Sequence, residues 1–417
     1  MSRKAAIQIR EAPSKASPYR WVVLAAFCAV DLATMLSSQS MGVMLPAMKV
    51  DLSLSPFQMG LLGASSWMGT FLFAILFGAG LSRYSPKKVT FFTAISGSIL
   101  AFFQGMAQSF LGLFIPRFGA VVASVGRMSA RTIIIQQWFP LHQVVLATGI
   151  NSATSGIALA IATGLTPFLL IALGGWRSTF YLYSLLLLVM SGVWLVVGRQ
   201  RVTPSFQQGL TSQQDSPLRI IWRHKMLWLL GLGSMGCNLG WGARMVFWPT
   251  YMLEAYRMPV TISGLMWSVH EVGYILGSVG AGWIANRVKV RNPLIWLPGF
   301  FILLFALGML STGNVLLLAL FTFSGGFSWF FNPIIHSMPY ELPGAKPQEV
   351  AVAVAFLRTM TTFGSTIGPI LAGLLYQTTG SLYWALVITS LSPILTVIAG
   401  LIMPEREPRQ REGMGHL

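Results

Sequence analysis

Residues 199–225 read RQRVTPSFQQGLTSQQDSPLRIIWRHK, the one long polar interruption in a chain of 417 residues that is 54% hydrophobic and 9% charged. On either side the sequence is a succession of apolar runs of about 20 residues, each long enough to cross roughly 30 Å of hydrocarbon as a helix. Six precede the polar stretch, at about 21–46, 57–82, 88–108, 111–138, 143–172 and 178–198. Six follow it, at about 226–254, 260–286, 293–311, 314–339, 349–378 and 381–403. Soluble classes are excluded by this composition. The expected fold is an all-α polytopic membrane protein of 12 transmembrane helices, numbered here 1 to 12 in chain order. Its parts are an N-terminal arm at 1–20, a six-helix bundle at 21–198, the linker at 199–225, a second six-helix bundle at 226–403 and a tail at 404–417.

The formal charge of +17 would suggest nucleic acid in a soluble protein, but the distribution of the cations points elsewhere. With the N-terminus in the cytoplasm, 20 of the 28 Lys and Arg residues fall on that side and three, Lys49, Arg177 and Arg257, fall outside. The positive-inside rule then sets both termini in the cytoplasm of a multi-pass protein of the cell's inner or plasma membrane. No nucleic-acid partner is expected. The first apolar run is too long for a cleavable signal and reads as an anchor that stays. Cys28 and Cys237 lie in helices 1 and 7, where cysteine is a small apolar residue. No disulfide, metal site or cofactor is expected, and neither is an enzyme active site.

The two halves echo one another at an offset of a little over 200 residues. The GAG of residues 78–80 with Arg83 matches the GAG of residues 280–282 with Arg287, Pro46 matches Pro249, and Gly156 matches Gly364. Parallel repeats about an axis along the membrane normal are one transporter plan, with the substrate site near the midplane between them. The 6+6 organisation, GAGLSRYSPKK after helix 2, its echo GAGWIANRVKVR after helix 8, the Arg117 region and WFPLHQVVLATG entering helix 5 together resemble the major facilitator superfamily. The closest likeness is to organic-anion carriers of the anion:cation symporter and monocarboxylate porter types. The loop motif departs from the family's G-x-x-x-D-R, since the acidic position holds Ser82 in one copy and Asn286 in the other. The resemblance makes Gly80, Arg83, Arg287 and Glu341 loop-motif or gate residues, with Tyr340 beside them. It also implies that helices 1, 4, 7 and 10 line a central cavity.

Five arginines lie within the apolar runs: Arg117, Arg127, Arg131, Arg244 and Arg358. Even gentle scales charge roughly 2.5 to 3.5 kcal/mol for such a residue at the bilayer centre, so an intramembrane arginine marks a substrate or ion path. The acids at that depth are Asp31 and Glu271, with Glu341 near a helix end. The imbalance points to a small anionic substrate. Guanidinium presents paired donors that match carboxylate geometry, so a carboxylate is expected.

Arg127 and Arg131 are four apart on helix 4 and share a face. The repeat maps them onto Asn332 and His336 of helix 10, so two polar ladders are expected to face one another; the alternative is an arginine that braces Asp31 or backbone carbonyls. Arg117 reads as structural or coupling. Arg244, Asn238 and Trp241 of helix 7 and Arg358 of helix 11 complete the substrate candidates, although Arg244 also fits a snorkelling role. Asp31 and Glu271, the latter preceded by His270, are the proton-coupling candidates, because burial and a nearby cation pull a carboxyl's proton affinity in opposite directions. Arg358 is the expected partner of Glu271, and a permanent ion pair is the alternative for either acid. Glycines of helix 5 (149, 156, 164) and helix 11 (364, 368, 373) read as close-packing positions. The expected function is a secondary transporter of a small organic anion by alternating access, with proton symport or anion exchange, in a monomer. A cation or drug exporter and a lipid-handling or non-transporting receptor are the alternatives.

Overall fold

The computed structural model describes residues 17–81, 84–199, 219–287, 292–341 and 347–403, and every element among them is helical. Each expected run coincides with helix. Helix 1 is observed as Tyr19–Gln39 and Met41–Asp51, followed by Pro56–Leu81, Pro86–Gly105, Phe110–Trp138, Leu141–Ala172 and Trp176–Val197 as helices 2 to 6. After a short helix at Arg219–Arg223 come Lys225–Tyr256, Val260–Arg287 and Pro293–Leu310 as helices 7 to 9. Helix 10 is Val315–Phe327 continued by Phe331–Ser337, helix 11 is Pro347–Thr379, and helix 12 is Leu382–Ser390 with Ile394–Ile402.

Local sequence explains the boundaries. Ser109 caps helix 4 by accepting from the Gly112 amide, and Asn314 caps helix 10 by accepting from the Leu316 and Leu317 amides, each satisfying donors a helix start leaves free. Helix 11 ends at Gly380, whose φ of 69° suits a residue without Cβ.

Helices 1, 4, 5, 6, 9, 10 and 12 contain the seven segments long and apolar enough to cross a membrane by length and composition alone. Among the described residues, helices 2, 3, 7, 8 and 11 contain no such segment. Four of these, 2, 7, 8 and 11, take part in the contacts between the two halves, so part of their surface meets protein and not lipid.

The neighbour scheme repeats. Helix 3 lies on 4 and 6, helix 2 on 4, and helix 1 on 5 and 6; correspondingly, helix 9 lies on 10 and 12, helix 8 on 10, and helix 7 on 11 and 12. Between the sets, helix 2 meets 11, helix 5 meets 8, and the end of helix 1 meets 7. Some of these contacts are too close for a side chain to intervene: a Cβ on Gly60 would strike the Pro369 carbonyl, and one on Gly373 would lie 2.5 Å from the Pro56 carbonyl.

The inter-set contacts concentrate at the end away from Tyr19 and Met403. There Lys49 bonds Glu254 at 2.6 Å and the Tyr376 hydroxyl at 3.1 Å, and the Phe57 amide donates to Gln377 at 3.3 Å. Aromatic contacts continue to mid-depth, with ring centroids 5.6 Å apart for Trp67–Trp241 and 5.0 Å for Phe71–Phe363. Toward the opposite end, Gly149 of helix 5 and Gly280 of helix 8 face open space and Arg358 is exposed. Contact between the sets is therefore looser toward the end that carries Tyr19 and Met403.

The glycine expectation divides. Gly156 and Gly164 of helix 5 lie against Ile275 and Ser268 of helix 8, as close packing across the sets requires. Gly364 and Gly368 instead meet backbone carbonyls of Met235 and Leu239 on helix 7, inside their own set.

Candidate functional site

The helix 4 arginines part company. Arg127 is 3% exposed and turns to helix 1, where its Nε donates to Asp31 Oδ1 at 2.8 Å and its Nη2 to Thr34 Oγ1 at 2.7 Å. The expectation that it faces helix 10 across the cavity is corrected: its charge is taken up by Asp31 within the first set. Arg131, one turn further, is only half-buried and donates from Nη1 to Asn151 Oδ1 of helix 5 at 2.7 Å. Asn151 Nδ2 in turn donates to Asp31 Oδ2 at 3.4 Å. Asp31, Arg127, Asn151 and Arg131 form one connected network on helices 1, 4 and 5.

Across the cavity, Arg358 stands close enough to Arg131 and to His336 for their charges to act on one another. No ion pair to Arg131 or Arg358 occurs among the described residues. His336 is half-buried and its Nδ1 has no hydrogen-bond partner among the described residues. Asn332, one turn away, is half-buried beside Tyr274. Arg131 from the first set and Arg358 and His336 from the second thus lie within electrostatic reach in sequence, Arg131 to Arg358 and Arg358 to His336, while Arg127, also within reach of Arg131, is paired with Asp31.

The pairing of Arg358 with Glu271 is also corrected. Glu271 and His270 are buried, and His270 Nδ1 lies 3.2 Å from Glu271 Oε1, with the imidazole stacked on Trp267. The reason lies in the packing: helix 8 lies on helices 5 and 10, whereas helix 11 lies on helices 2 and 7.

Arg244 does not join the cavity either. It is buried and donates from Nη1 to Ser390 Oγ of helix 12 at 3.0 Å, so snorkelling is excluded along with membership of the Arg131–Arg358 group. Asn238 is buried at the helix 7–11 contact, bonded to the Ser234 carbonyl at 2.8 Å and accepting from Ser365 at 3.4 Å. Trp241 is half-buried, its ring between Trp67 of helix 2 and Trp329 of helix 10.

Arg117 is a clasp. Only 1% exposed, it donates from Nε to the Leu62 carbonyl (3.0 Å) and the Ser65 hydroxyl (2.9 Å), and from Nη2 to the Ser38 carbonyl (2.7 Å) and the Ser66 hydroxyl (2.6 Å). Two serines and two carbonyls thereby bind helix 4 to helices 1 and 2.

Of the loop-motif residues, Arg83 and Ser82 lie outside the described residues, as do the side chains of Asn286 and Glu341. Gly80 sits in the last turn of helix 2, Arg287 closes helix 8 with an exposed side chain, and Tyr340 is exposed. Asn151, Thr34, Trp67 and Trp329 were not among the expected site residues. An amide inside a membrane helix was the available signal for Asn151. The tryptophans carried none that set them apart from the other indoles among 14.

A multi-pass helical protein built of two repeated sets around a polar cavity is a membrane transporter, not an enzyme. The chain belongs to the Major Facilitator Superfamily, whose model matches residues 27–345 and 230–414. It is 21% identical over 388 residues to the probable sulfoacetate transporter SauU of Cupriavidus necator, covering 87% of this chain and 88% of that one. It is 20% identical to the hexuronate transporter of Bacillus subtilis, covering 83% and 85%. It is 23% identical to the probable galactarate/D-glucarate transporter GudP of Escherichia coli, covering 85% and 87%. Among solved structures, a bacterial homolog of the human lysosomal transporter Spinster, inward-facing and unoccupied, superposes with a TM-score of 0.76 at 16% identity over 92% of this chain and 96% of that one. The nucleoside transporter NupG gives 0.73 at 17% identity over 91% and 98%.

Proposed function

We propose that this protein moves a small organic anion, a carboxylate, across the cell's inner or plasma membrane by alternating access, with both termini cytoplasmic and the anion held between Arg131 and Arg358. One observation carries the reading: two guanidiniums from opposite halves come within electrostatic reach of one another and neither forms an ion pair among the described residues, the nearby Asp31 being paired with Arg127. Like charges brought together at membrane depth are costly unless an anion joins them. The printed names of the relatives, several of them transporters of organic acids, support the same class.

The bundles at 21–198 and 226–403 rock about this site; with both termini cytoplasmic, the looser packing at the Tyr19 and Met403 end supports an inward-open form. Arg131 and Arg358 present bidentate donors to a carboxylate; Asn332 and His336 line the same cavity. Asp31 is the proton-coupling group, since Asn151 bridges it to Arg131. The His270–Glu271 pair is a second titratable unit in the other bundle. A cation exporter is disfavoured, because both acids are occupied by partners in their own set. The working unit is a monomer in the bilayer.

The test is a counterflow screen of the purified protein in proteoliposomes against carboxylates, inorganic anions, amino acids and cationic dyes. Carboxylate exchange that is lost in Arg131→Ala and in Arg358→Ala is the expected result. A cation-only profile overturns the reading.

A further inference from the structure

Two buried arginines of helix 4 come together inside the first set. Arg117 and Arg127 lie about 15 Å apart along the helix axis, at 1.5 Å per residue. Their guanidiniums nevertheless reach helix 1 only about one turn apart. Nη2 of Arg127 donates to Thr34 Oγ1 at 2.7 Å, and Nη2 of Arg117 to the Ser38 carbonyl at 2.7 Å. Both arginines, with Ser37 of helix 1, line a cavity whose walls come from helices 1, 3, 4 and 6. Every residue lining it belongs to the first set. It offers about 20 Å³ to the centre of a water-sized sphere, room for about one or two waters. A halide is of that size, whereas a carboxylate or a sulfate is not.

The groups that face this space without a partner are donors. Arg117 bonds through Nε and Nη2, and Arg127 through Nε and Nη2, so that Nη1 of each makes no hydrogen bond among the described residues. The buried Ser37 hydroxyl makes none either. The other hydroxyls in the wall, those of Thr34, Ser38, Thr93 and Ser124, donate to carbonyls of their own helices. Gln104 Oε1 is an acceptor without a partner, but it is sealed off from a water-sized sphere. No Asp or Glu lines the cavity. Its occupant must therefore accept hydrogen bonds.

Charge selects among acceptors. Asp31 neutralises Arg127, while no ion pair to Arg117 occurs among the described residues. Arg117, Arg127 and Asp31 together leave one buried positive charge, and an uncompensated charge in a dry interior is costly. Water satisfies the donors but leaves the charge; a small anion does both. We propose that the first bundle holds one halide-sized anion as a fixed counter-ion, bound by Nη1 of Arg117, Nη1 of Arg127 and Ser37 Oγ. The rest of the wall suits a weakly hydrated ion: Ala120, Val121 and Leu187 are apolar, and Gly97 adds no side chain. This anion ties helix 4 to helix 1 and is not the transported one, so the proposal does not rest on the carboxylate reading.

The experiment uses the full-length protein purified in detergent, as wild type and as the Arg131→Ala/Arg358→Ala double variant, which lacks the cations of the substrate reading. Melting temperatures are compared in sodium bromide and sodium sulfate at equal ionic strength. Sulfate is the stronger general stabiliser of folded proteins, so a higher melting temperature in bromide reports a site. A rise of about 2 °C or more in about 100 mM bromide, relative to sulfate and in both backgrounds, is expected. Ser37→Ala should cut it by about half or more, and Ala120→Leu, which fills the cavity, should abolish it. Crystals grown in bromide should show an anomalous peak within hydrogen-bonding distance of Arg117 Nη1. Equal or higher melting in sulfate, an undiminished bromide effect in Ser37→Ala and Ala120→Leu, or density at that place without anomalous signal, the mark of water alone, overturns the inference. Where Ala120→Leu does not fold, Ser37→Ala and the anomalous map decide. A bromide effect lost in the double variant belongs to the central cations and overturns this site while sparing the carboxylate reading. Transport that survives in the double variant overturns that reading while sparing this site.

Discussion

Lys49 and Glu254 meet at 2.6 Å across the two bundles, and they are 205 residues apart, the spacing that maps helix 4 onto helix 10. Repeat-equivalent positions at the ends of helices 1 and 7 thus hold opposite charges and face each other at the closed end of the cavity, with the Tyr376 hydroxyl 3.1 Å from the same ammonium. This contact must part whenever that end opens. Both side chains are about a third exposed, so the pair contributes no more than about 1 kcal/mol. Glu254→Gln is expected to raise the outward-open population by up to about fivefold, and the charge swap Lys49→Glu with Glu254→Lys to restore it. Distances between spin labels on the ends of helices 1 and 7 measure it.

The same contact has a pH signature. Burial works against the Lys49 charge, but the hydrogen bonds to Glu254 and Tyr376 outweigh it and raise its pKa above 10.5. A raised lysine stabilises the form that raises it at pH values below the free value, and that stabilisation is lost as pH climbs through the shifted one. The closed-end contact is therefore intact through neutral and mildly basic pH and weakens above about pH 10.5. Thermal unfolding in detergent should show a steeper fall beyond that pH for the wild type than for Lys49→Met.

Asp31→Asn is expected to do two things at once. The amide mimics a protonated acid, so exchange persists while uptake driven by a pH gradient fails. It also strips the buried Arg127 of its counter-charge, which costs about 3 to 5 kcal/mol when one partner of a buried pair is removed. Asp31→Asn with Arg127→Gln should recover much of the thermal stability without recovering coupling. Gradient-driven uptake at wild-type rate in Asp31→Asn would reduce Asp31 to a brace.

Arg131→Ala and Arg358→Ala should each lower substrate affinity by roughly 30-fold to several thousand-fold, the range for loss of a hydrogen-bonded charge partner of about 2 to 5 kcal/mol. Lysine at either position should restore only part, since an ammonium does not reproduce the planar fork. Substrate titration of intrinsic tryptophan fluorescence reads the affinity, with Trp67 and Trp241 at the contact between the sets.

Arg117→Lys should behave as a stability variant, not a transport variant. One ammonium does not reach two carbonyls and two serine hydroxyls spread over helices 1 and 2, and the acceptors left over cost on the order of 3 kcal/mol. A lowered melting temperature with unchanged KM in the surviving protein is the expected result.

The bundle architecture was legible because twelve apolar runs, one polar linker and an asymmetric spread of lysine and arginine leave few alternatives. The repeat also maps Arg131 of the first half onto His336 of the second, and both lie within electrostatic reach of Arg358. What stayed hidden was the direction of each side chain. Arg127 and Arg131 share a helical face, yet one turns to Asp31 and the other to Asn151, because their partners lie on different neighbouring helices. Arg358 and Glu271 were matched by charge alone, and no pattern in either helix reveals that helices 8 and 11 belong to different neighbourhoods.

Asn151 is a single amide with two unlike ends: its oxygen accepts from Arg131 and its nitrogen donates to Asp31. A proton arriving on Asp31 weakens the acceptor on one end, and an anion arriving on Arg131 competes for the donor on the other. Both visitors thus pull on one side-chain dipole, and turning that amide over would present like to like at both ends. If Asp31 carries the proton and Arg131 the anion, as proposed, the orientation of one asparagine couples the two.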